Sequence, residues 1–344
     1  MPTRRRFLTA ALGTGAGIAL GVSPARVGRA QDADTVRRRN KAAVLRLKES
    51  QGTDQAAAVA AELQAASYRR LRGGFEHLAA NARDQGFPST GTNLRAAIPD
   101  RVDVIEEVIA DGDRVGLLFR VTGTHSGNLF GIPATGRPID VYEVGIYQLE
   151  NGQVVQGWFM ADEAALLKQL GARLPVRADG QRIIPPVTGG GIDGDAMLAR
   201  LSSAPVDSQE HRNKLAVARS KSSSPPEELR AADFTQRRRG FEHLREYGLA
   251  HDAGELAVTQ SLPDRRDKVD LLLAEGDKVW MLFRLSGTNT QSLYGLLPSN
   301  APVEVPELGI MRFERGAWKE GWYFGDELGL LLQIGHPDAL LAGA

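Results

Sequence analysis

Hydrophobic and polar positions follow two different periods along this chain of 344 residues. Ala42-Ala43-Val44-Leu45-Arg46-Leu47 and the alanine-rich run 56–66 have the composition and spacing of helices. Gly74-Phe75-Glu76-His77-Leu78 opens another helix, and Ile98-Pro99-Asp100 breaks the pattern. Beyond it the period becomes two. Strands are predicted over 102–109, 114–123, 139–150 and 154–160. Asp111-Gly112-Asp113 and Asn151-Gly152 are hairpin turns, because these residue pairs tolerate positive φ. A short helix over 162–170 closes the unit. Helices first, then an antiparallel meander, is an α+β layout with helices on one face of a curved sheet.

The whole pattern occurs twice. Segment 109–171 aligns without gaps on 273–335, with about 26 of 63 positions identical, so the chain is an internal duplication. Each copy begins with Arg-Asn-Lys, at Arg39-Asn40-Lys41 and Arg212-Asn213-Lys214. Between the copies, 173–210 contains Pro185-Pro186 and Gly189-Gly190-Gly191 and is expected to be a linker. Ser222-Ser223-Ser224-Pro225-Pro226 interrupts the first helices of the second copy.

Composition narrows the function classes. Forty-two basic and 42 acidic side chains balance to zero, so no electrostatic footprint for nucleic acid or an anionic membrane is present. The chain has no cysteine, which excludes disulfides, thiolate metal sites and a cysteine nucleophile. Its six histidines are scattered and make no metal pattern, and no cofactor motif stands out.

At the N-terminus, Arg4-Arg5-Arg6-Phe7-Leu8 precedes a small, apolar, uncharged run over 9–22. The arrangement resembles a twin-arginine export signal, and the small residues of Gly28-Arg29-Ala30 suggest cleavage after Ala30. The run is shorter than the roughly 20 residues of a membrane span. The expectation is therefore an exported protein, periplasmic or secreted, with no stable membrane anchor after cleavage.

Several motifs in order resemble the SnoaL-like polyketide cyclase (ester cyclase) family: Ala110-Asp111-Gly112-Asp113-Arg114-Val115, Gly123-Thr124-His125, Gly131-Ile132-Pro133-Ala134-Thr135-Gly136-Arg137, and Trp158 through Gly171. The resemblance implies two cone-shaped NTF2-like domains in tandem: a signal over 1–30, domains over 35–172 and 211–337, and the linker over 173–210. It implies a deep pocket between sheet and helices, and cofactor-free aldol-type chemistry with a carboxylate as acid/base. The family's Trp-x-x-x-Asp carboxylate maps to Asp162, and to Asp326 in the second copy. The histidine of Gly-Thr-His maps to His125. The chain departs from the family at Asn289, which replaces that histidine in the second copy. It departs again at Glu143-x-Gly145 and Glu307-x-Gly309, where the family commonly carries Gly-x-Asp.

Asp162 and His125 are thus the candidate catalytic pair, with the first copy as the active half. An aspartate among aromatics would have its pKa raised by desolvation; the structural alternative is a helix N-cap. His125 has its own alternative, a loop histidine bonded to backbone. The candidate substrate-binding residues are Trp158, Phe119, Arg120, Tyr142 and Glu143, with Asp326, Asn289, Trp322, Arg284 and Glu307 as second-copy counterparts. The two tryptophans could stack on a flat ligand or pack in a core. His77 and His243, on helices beside glutamates, are expected to be structural or solvent-facing. Arg120 and Glu143 are expected to meet across neighbouring strands. A small hydrophobic ligand and an intramolecular pseudo-dimer of the two copies are the expected partnerships. An enzyme acting on a carbonyl compound, a non-catalytic binding protein and a purely structural pseudo-dimer all remain open.

Overall fold

A computed structural model describes residues 24–87, 90–177, 179–187, 189–225, 229–251, 253 and 258–341. The arginine motif and the apolar run behind it lie outside the described residues, and the expected cleavage point falls within the length of the first helix. The first repeat runs α1 (Pro24–Glu49), α2 (Ala56–Leu63), β1 (Gln64–Arg72), α3 (Glu76–Asn81), α4 (Thr90–Ala97), β2 (Val102–Asp111), β3 (Arg114–Thr124), β4 (Pro138–Glu150), β5 (Gln153–Ala161) and α5 (Glu163–Leu170). The expected linker holds β6 (Ile192–Asp193) and α6 (Gly194–Ser202). The second repeat follows with α7 (Gln209–Arg219), β7 (Arg230–Arg238), α8 (Glu242–Ala250), α9 (Val258–Ser261), β8 (Arg266–Glu275), β9 (Lys278–Thr288), β10 (Pro302–Glu314), β11 (Ala317–Gly325) and α10 (Glu327–Gln333).

The first sheet has strand order β1-β5-β4-β3-β2, and the second β6-β8-β9-β10-β11-β7. The four period-two segments form the expected antiparallel meander. The sheets are nevertheless mixed, because β1 and β7 pair parallel to β5 and β11 at the edge. Gln64–Arg72 carries three arginines and no apolar alternation, so periodicity did not mark it as a strand. The turn at Asn151-Gly152 has φ of 51° and 86°, the positive values its sequence calls for.

Each sheet has two differently used faces. On β4, Val141, Tyr147 and Leu149 join the core beneath the helices, while Val144 and Ile146 join a second cluster. That second cluster draws Leu118, Ile146, Trp158 and Met160 from one repeat and Trp280, Leu282, Ile310 and Phe324 from the other. The outer faces of the two sheets therefore pack on each other. Burying each large aliphatic side chain in such a layer contributes about 1.5–3 kcal/mol. At its centre the repeats differ: Trp280 occupies the position of Gly116, and a Cβ on Gly116 would lie 2.7 Å from the Trp280 ring.

Register corrects the expected Arg120–Glu143 contact. Arg120 stands opposite Tyr142, and Glu143 opposite Phe119. With a side-chain period of two, one position separates the two faces of a strand. Arg120 pairs instead with Glu106 at 2.6 Å and Asp140 at 2.5 Å on the outer face. Arg284 repeats the arrangement with Asp270 at 3.1 Å and Glu304 at 2.8 Å.

Candidate functional site

The inner face of each sheet and the helices over it enclose a cone, and a buried polar cluster sits in each cone at equivalent positions. In the first repeat, Lys48 comes from the end of α1, Arg101 and Asp103 from the start of β2, and Glu143 from β4. Lys48 Nζ is 2.8 Å from Asp103, and Arg101 Nε donates to the same carboxylate at 2.8 Å. Glu143 is buried, with its nearest guanidinium contact, Arg101, at 3.7 Å, beyond a good hydrogen bond. The second repeat repeats this with Lys221, Arg265, Asp267 and Glu307. Lys221 and Arg265 both hold Asp267. Each lysine lies over a phenylalanine ring of the neighbouring strand, Lys48 over Phe119 at 3.3 Å and Lys221 over Phe283 at 3.7 Å.

Space for the glutamate is made by a missing side chain. A Cβ on Gly74 would fall 2.0 Å from Glu143 Oε1, and a Cβ on Gly240 would fall 2.0 Å from Glu307 Oε1. Burial pushes both glutamate carboxyls up, against the opposing pull of Lys48 and Arg101, or of Arg265 and Lys221. Burial likewise pulls the Lys48 and Lys221 ammonium groups down. A cavity of about 260 Å³ opens onto Lys221, Glu307, Phe283 and Tyr323 in the second cone. One of about 570 Å³ opens onto Lys48, Arg70, Arg101 and Asp103 in the first.

Apart from Arg120 and Arg284, already placed in the outer-face ion pairs, the sequence-expected site residues fall in four places. Phe119, Glu143 and Glu307 belong to the cones. Trp158, Tyr142 and Trp322 belong to the layer between the sheets, where the rings of Tyr142 and Trp322 meet edge to face at 5.4 Å. Core packing, not a pocket lining, is where the tryptophans stand.

Asp162 and Asp326 occupy the third place, a charge lock between the repeats. Asp162 caps α5 by accepting the Ala165 N–H at 3.0 Å. Its other oxygen takes Arg238 at 2.8 Å and His243 Nε2 at 3.1 Å, both from the second repeat. In mirror image, Asp326 caps α10 through Gly329 and accepts from Arg72 at 2.8 Å. His77 Nε2 lies 2.8 Å from the same carboxylate. The expected upward shift of Asp162 is therefore corrected. Burial does push it up, but His243, Arg238 and the capping bond hold it below the usual carboxylate range. Asp326 is lowered in the same way by His77 and Arg72. His77 is buried and His243 part-buried, and both take the structural one of their two expected roles, as partners of these aspartates; burial opposes their charge, yet the aspartates raise His77, and His243 to about 9.

His125 pins its own loop. Its Nδ1 accepts from the Thr135 amide at 3.3 Å and meets the Thr135 hydroxyl at 3.0 Å. Burial pulls it down. Asn289 performs the same task by accepting from the Ser299 amide at 2.9 Å. Asp162 and His125 are thus engaged with different partners. Among the described residues, no group of three or more histidine, aspartate or glutamate side chains is placed to hold a metal ion.

A profile of the SnoaL-like polyketide cyclase family matches residues 80–170 and 224–334, together more than half of the chain. The chain belongs to this family. Solved structures similar to a single repeat include a protein described as a SnoaL-like polyketide cyclase from Jannaschia sp. CCS1, 23% identical over 39% of this chain and 92% of that one, with a TM-score of 0.33. IdmH from Streptomyces antibioticus is 22% identical over 39% of this chain and 99% of its own, with a TM-score of 0.32. A SnoaL-like polyketide cyclase from Agrobacterium tumefaciens is 20% identical over 37% of this chain and 94% of its own, with a TM-score of 0.29. No curated protein matches the chain. Within this SnoaL-like duplication, the Lys–Asp–Arg–Glu cluster is the feature that sequence reasoning missed apart from its glutamate. The signal was there: all four residues recur in both repeats, at Lys48/Lys221, Arg101/Arg265, Asp103/Asp267 and Glu143/Glu307.

Proposed function

We propose that this SnoaL-like protein binds a small carbonyl compound inside its cones and moves a proton there without a cofactor, with Glu143 and Glu307 as the acid/base groups. The observation that carries this reading is a buried, weakly partnered glutamate beside a lysine at the same place in both cones. A carboxyl pushed up by burial is better matched to proton transfer near neutral pH than an aspartate held down by two cations. In the step envisaged, the glutamate carboxylate takes a proton from the carbon next to the carbonyl. The C–H electron pair moves into the enolate, and the neighbouring ammonium stabilises the enolate oxygen. The protonated glutamate then returns a proton to that same carbon as the carbonyl re-forms, so that in D₂O the position acquires deuterium.

The test is hydrogen–deuterium exchange next to the carbonyl of a set of cyclic ketones and β-keto esters in D₂O, followed by proton NMR. Exchange should be accelerated by the protein and reduced on the order of 10²-fold in the Glu143→Gln/Glu307→Gln double variant. Ligand binding without any accelerated exchange would make it a binding protein. Exchange that survives the double variant would remove the glutamates from the chemistry.

A further inference from the structure

Resting on the reading that the cones bind a carbonyl compound beside their glutamates, we propose that Tyr147 and Tyr323 are the neutral donors that hold the carbonyl oxygen, one phenol in each cone. The observation behind this is an exchange of positions between the repeats. Along β4, Glu143, Gly145 and Tyr147 share the inner face, and along β10 Glu307, Gly309 and Met311 do. Opposite the two glycines, β5 brings Phe159 and β11 brings Tyr323. The first cone thus has tyrosine on the glutamate's own strand and phenylalanine on the next, whereas the second has methionine and then tyrosine. The phenol has changed strands, yet each cone keeps one beside this glycine. Tyr68 is no part of the shared set, because Phe234 stands at its position in the second repeat.

The Glu-x-Gly pattern of both repeats has its physical reason here. A Cβ on Gly145 would lie 3.0 Å from both the Tyr147 and the Phe159 ring, and these rings meet edge to face at 5.3 Å. A Cβ on Gly309 would lie 2.8 Å from the Tyr323 ring and 3.2 Å from Met311 Sδ. Two residues from each glutamate the sheet is bare, and the aromatic ring that carries the hydroxyl lies against it.

Tyr147 is 3% exposed and Tyr323 is half-buried, yet neither hydroxyl hydrogen-bonds to a described residue. A buried donor without an acceptor is costly, and a ligand oxygen would relieve that cost. Burial, and after it the charge of Glu143 or Glu307, pushes both phenols above their ordinary range, so each remains protonated while the glutamate titrates. In the second cone Tyr323 borders the same cavity as Glu307 and Lys221. A carbonyl compound there meets a base, a cation and a neutral donor. The lysines are already engaged by Asp103 and Asp267, which leaves the phenols as the donors without a prior partner. As negative charge develops on the carbonyl oxygen, the phenol O–H donates to it and keeps its own proton.

Infrared difference spectra of 2-tetralone bound to the full chain read the donor directly, because a hydrogen bond lowers the carbonyl stretch. The bound ketone should show a lowered band, and Tyr147→Phe/Tyr323→Phe should move it back toward the free position. The same double variant should lower kcat for deuterium exchange about 10²-fold with little change in KM. Each single variant should lose only the share of its own cone. Carrying the first cone's arrangement into the second, in Tyr323→Phe/Met311→Tyr, should restore both the band and the rate, an outcome that a packing role for Tyr323 does not give. A band and a rate that are unchanged in the double phenylalanine variant would overturn the assignment while leaving the glutamates as the acid/base groups. Failure of the ketone to bind at all would overturn the cones as binding sites and the phenol assignment with them.

Discussion

His77 Nε2 lies 2.8 Å from Asp326 Oδ2, although 249 positions separate the two residues in sequence. The mirror contact, His243 Nε2 to Asp162 Oδ2, spans 3.1 Å. Each aspartate also caps the N-terminus of the last helix of its own repeat. A single carboxylate thus holds a helix end in one repeat and a histidine–arginine pair in the other.

Asp162→Asn and Asp326→Asn should therefore behave alike. Each removes the charge facing a buried arginine and histidine, and each should cost about 3–5 kcal/mol of stability in denaturant unfolding. Catalytic asymmetry, with Asp162→Asn lowering kcat and Asp326→Asn sparing it, would instead return the proton chemistry to Asp162.

The lock also sets a pH dependence. His243 is raised to about 9 from an ordinary 6.5, so its contribution is complete below pH 6.5 and is lost as pH climbs through 9. Burial pushes Glu163 to about 7 and Glu327 to about 8, from 4.5; both favour the fold while protonated and lose that as pH rises through those values. Asp162 and Asp326 are depressed, so their contribution is present above the ordinary aspartate range and is lost as pH falls through their folded values. The melting temperature should be highest at about pH 4–5 and decline toward pH 9, and Glu327→Gln should flatten that decline. A melting temperature that stays level from pH 6 to 9 would contradict the assignment.

Gly240→Ala should displace Glu307, because the added methyl would fall on its carboxylate. Overpacking of this kind costs about 1–3 kcal/mol. Shortening the glutamate as well, in Gly240→Ala/Glu307→Ala, should recover part of that loss. A double variant whose losses simply add would show that the two positions do not meet.

Much of this architecture was legible in the sequence. The duplication, the four meander strands, their hairpin turns and Asp162 at a helix start all follow from local pattern. Faces were harder. Arg120 and Glu143 lie on neighbouring strands as expected, but one step of register turns them apart. The histidine–aspartate lock was not legible, since nothing local marks His77 as the partner of a residue in the other repeat. Lys48 was hidden for another reason. A lone lysine near a helix end usually reaches solvent, and only the packing of α1 over β3 places it above Phe119.

Export remains a proposal carried by Arg4-Arg5 and the apolar run that follows. Replacing both arginines by lysine should leave the precursor in the cytoplasm, as judged by fractionation. Undiminished export of that variant would exclude the twin-arginine route.

The two repeats, expressed as separate chains, should associate with each other when mixed and should elute as one species in gel filtration. Trp280→Ala should weaken that association, and should cost about 3–5 kcal/mol in the intact chain. Halves that stay apart after mixing would argue that the linker, not the shared layer, keeps them together.

Trp280 seated over Gly116 makes the two sheet faces a plug and a socket. Two sockets would leave a hollow at their centre, and two plugs would collide. The copies have become complementary, so deleting one would expose an apolar wall and doubling one would misfit it.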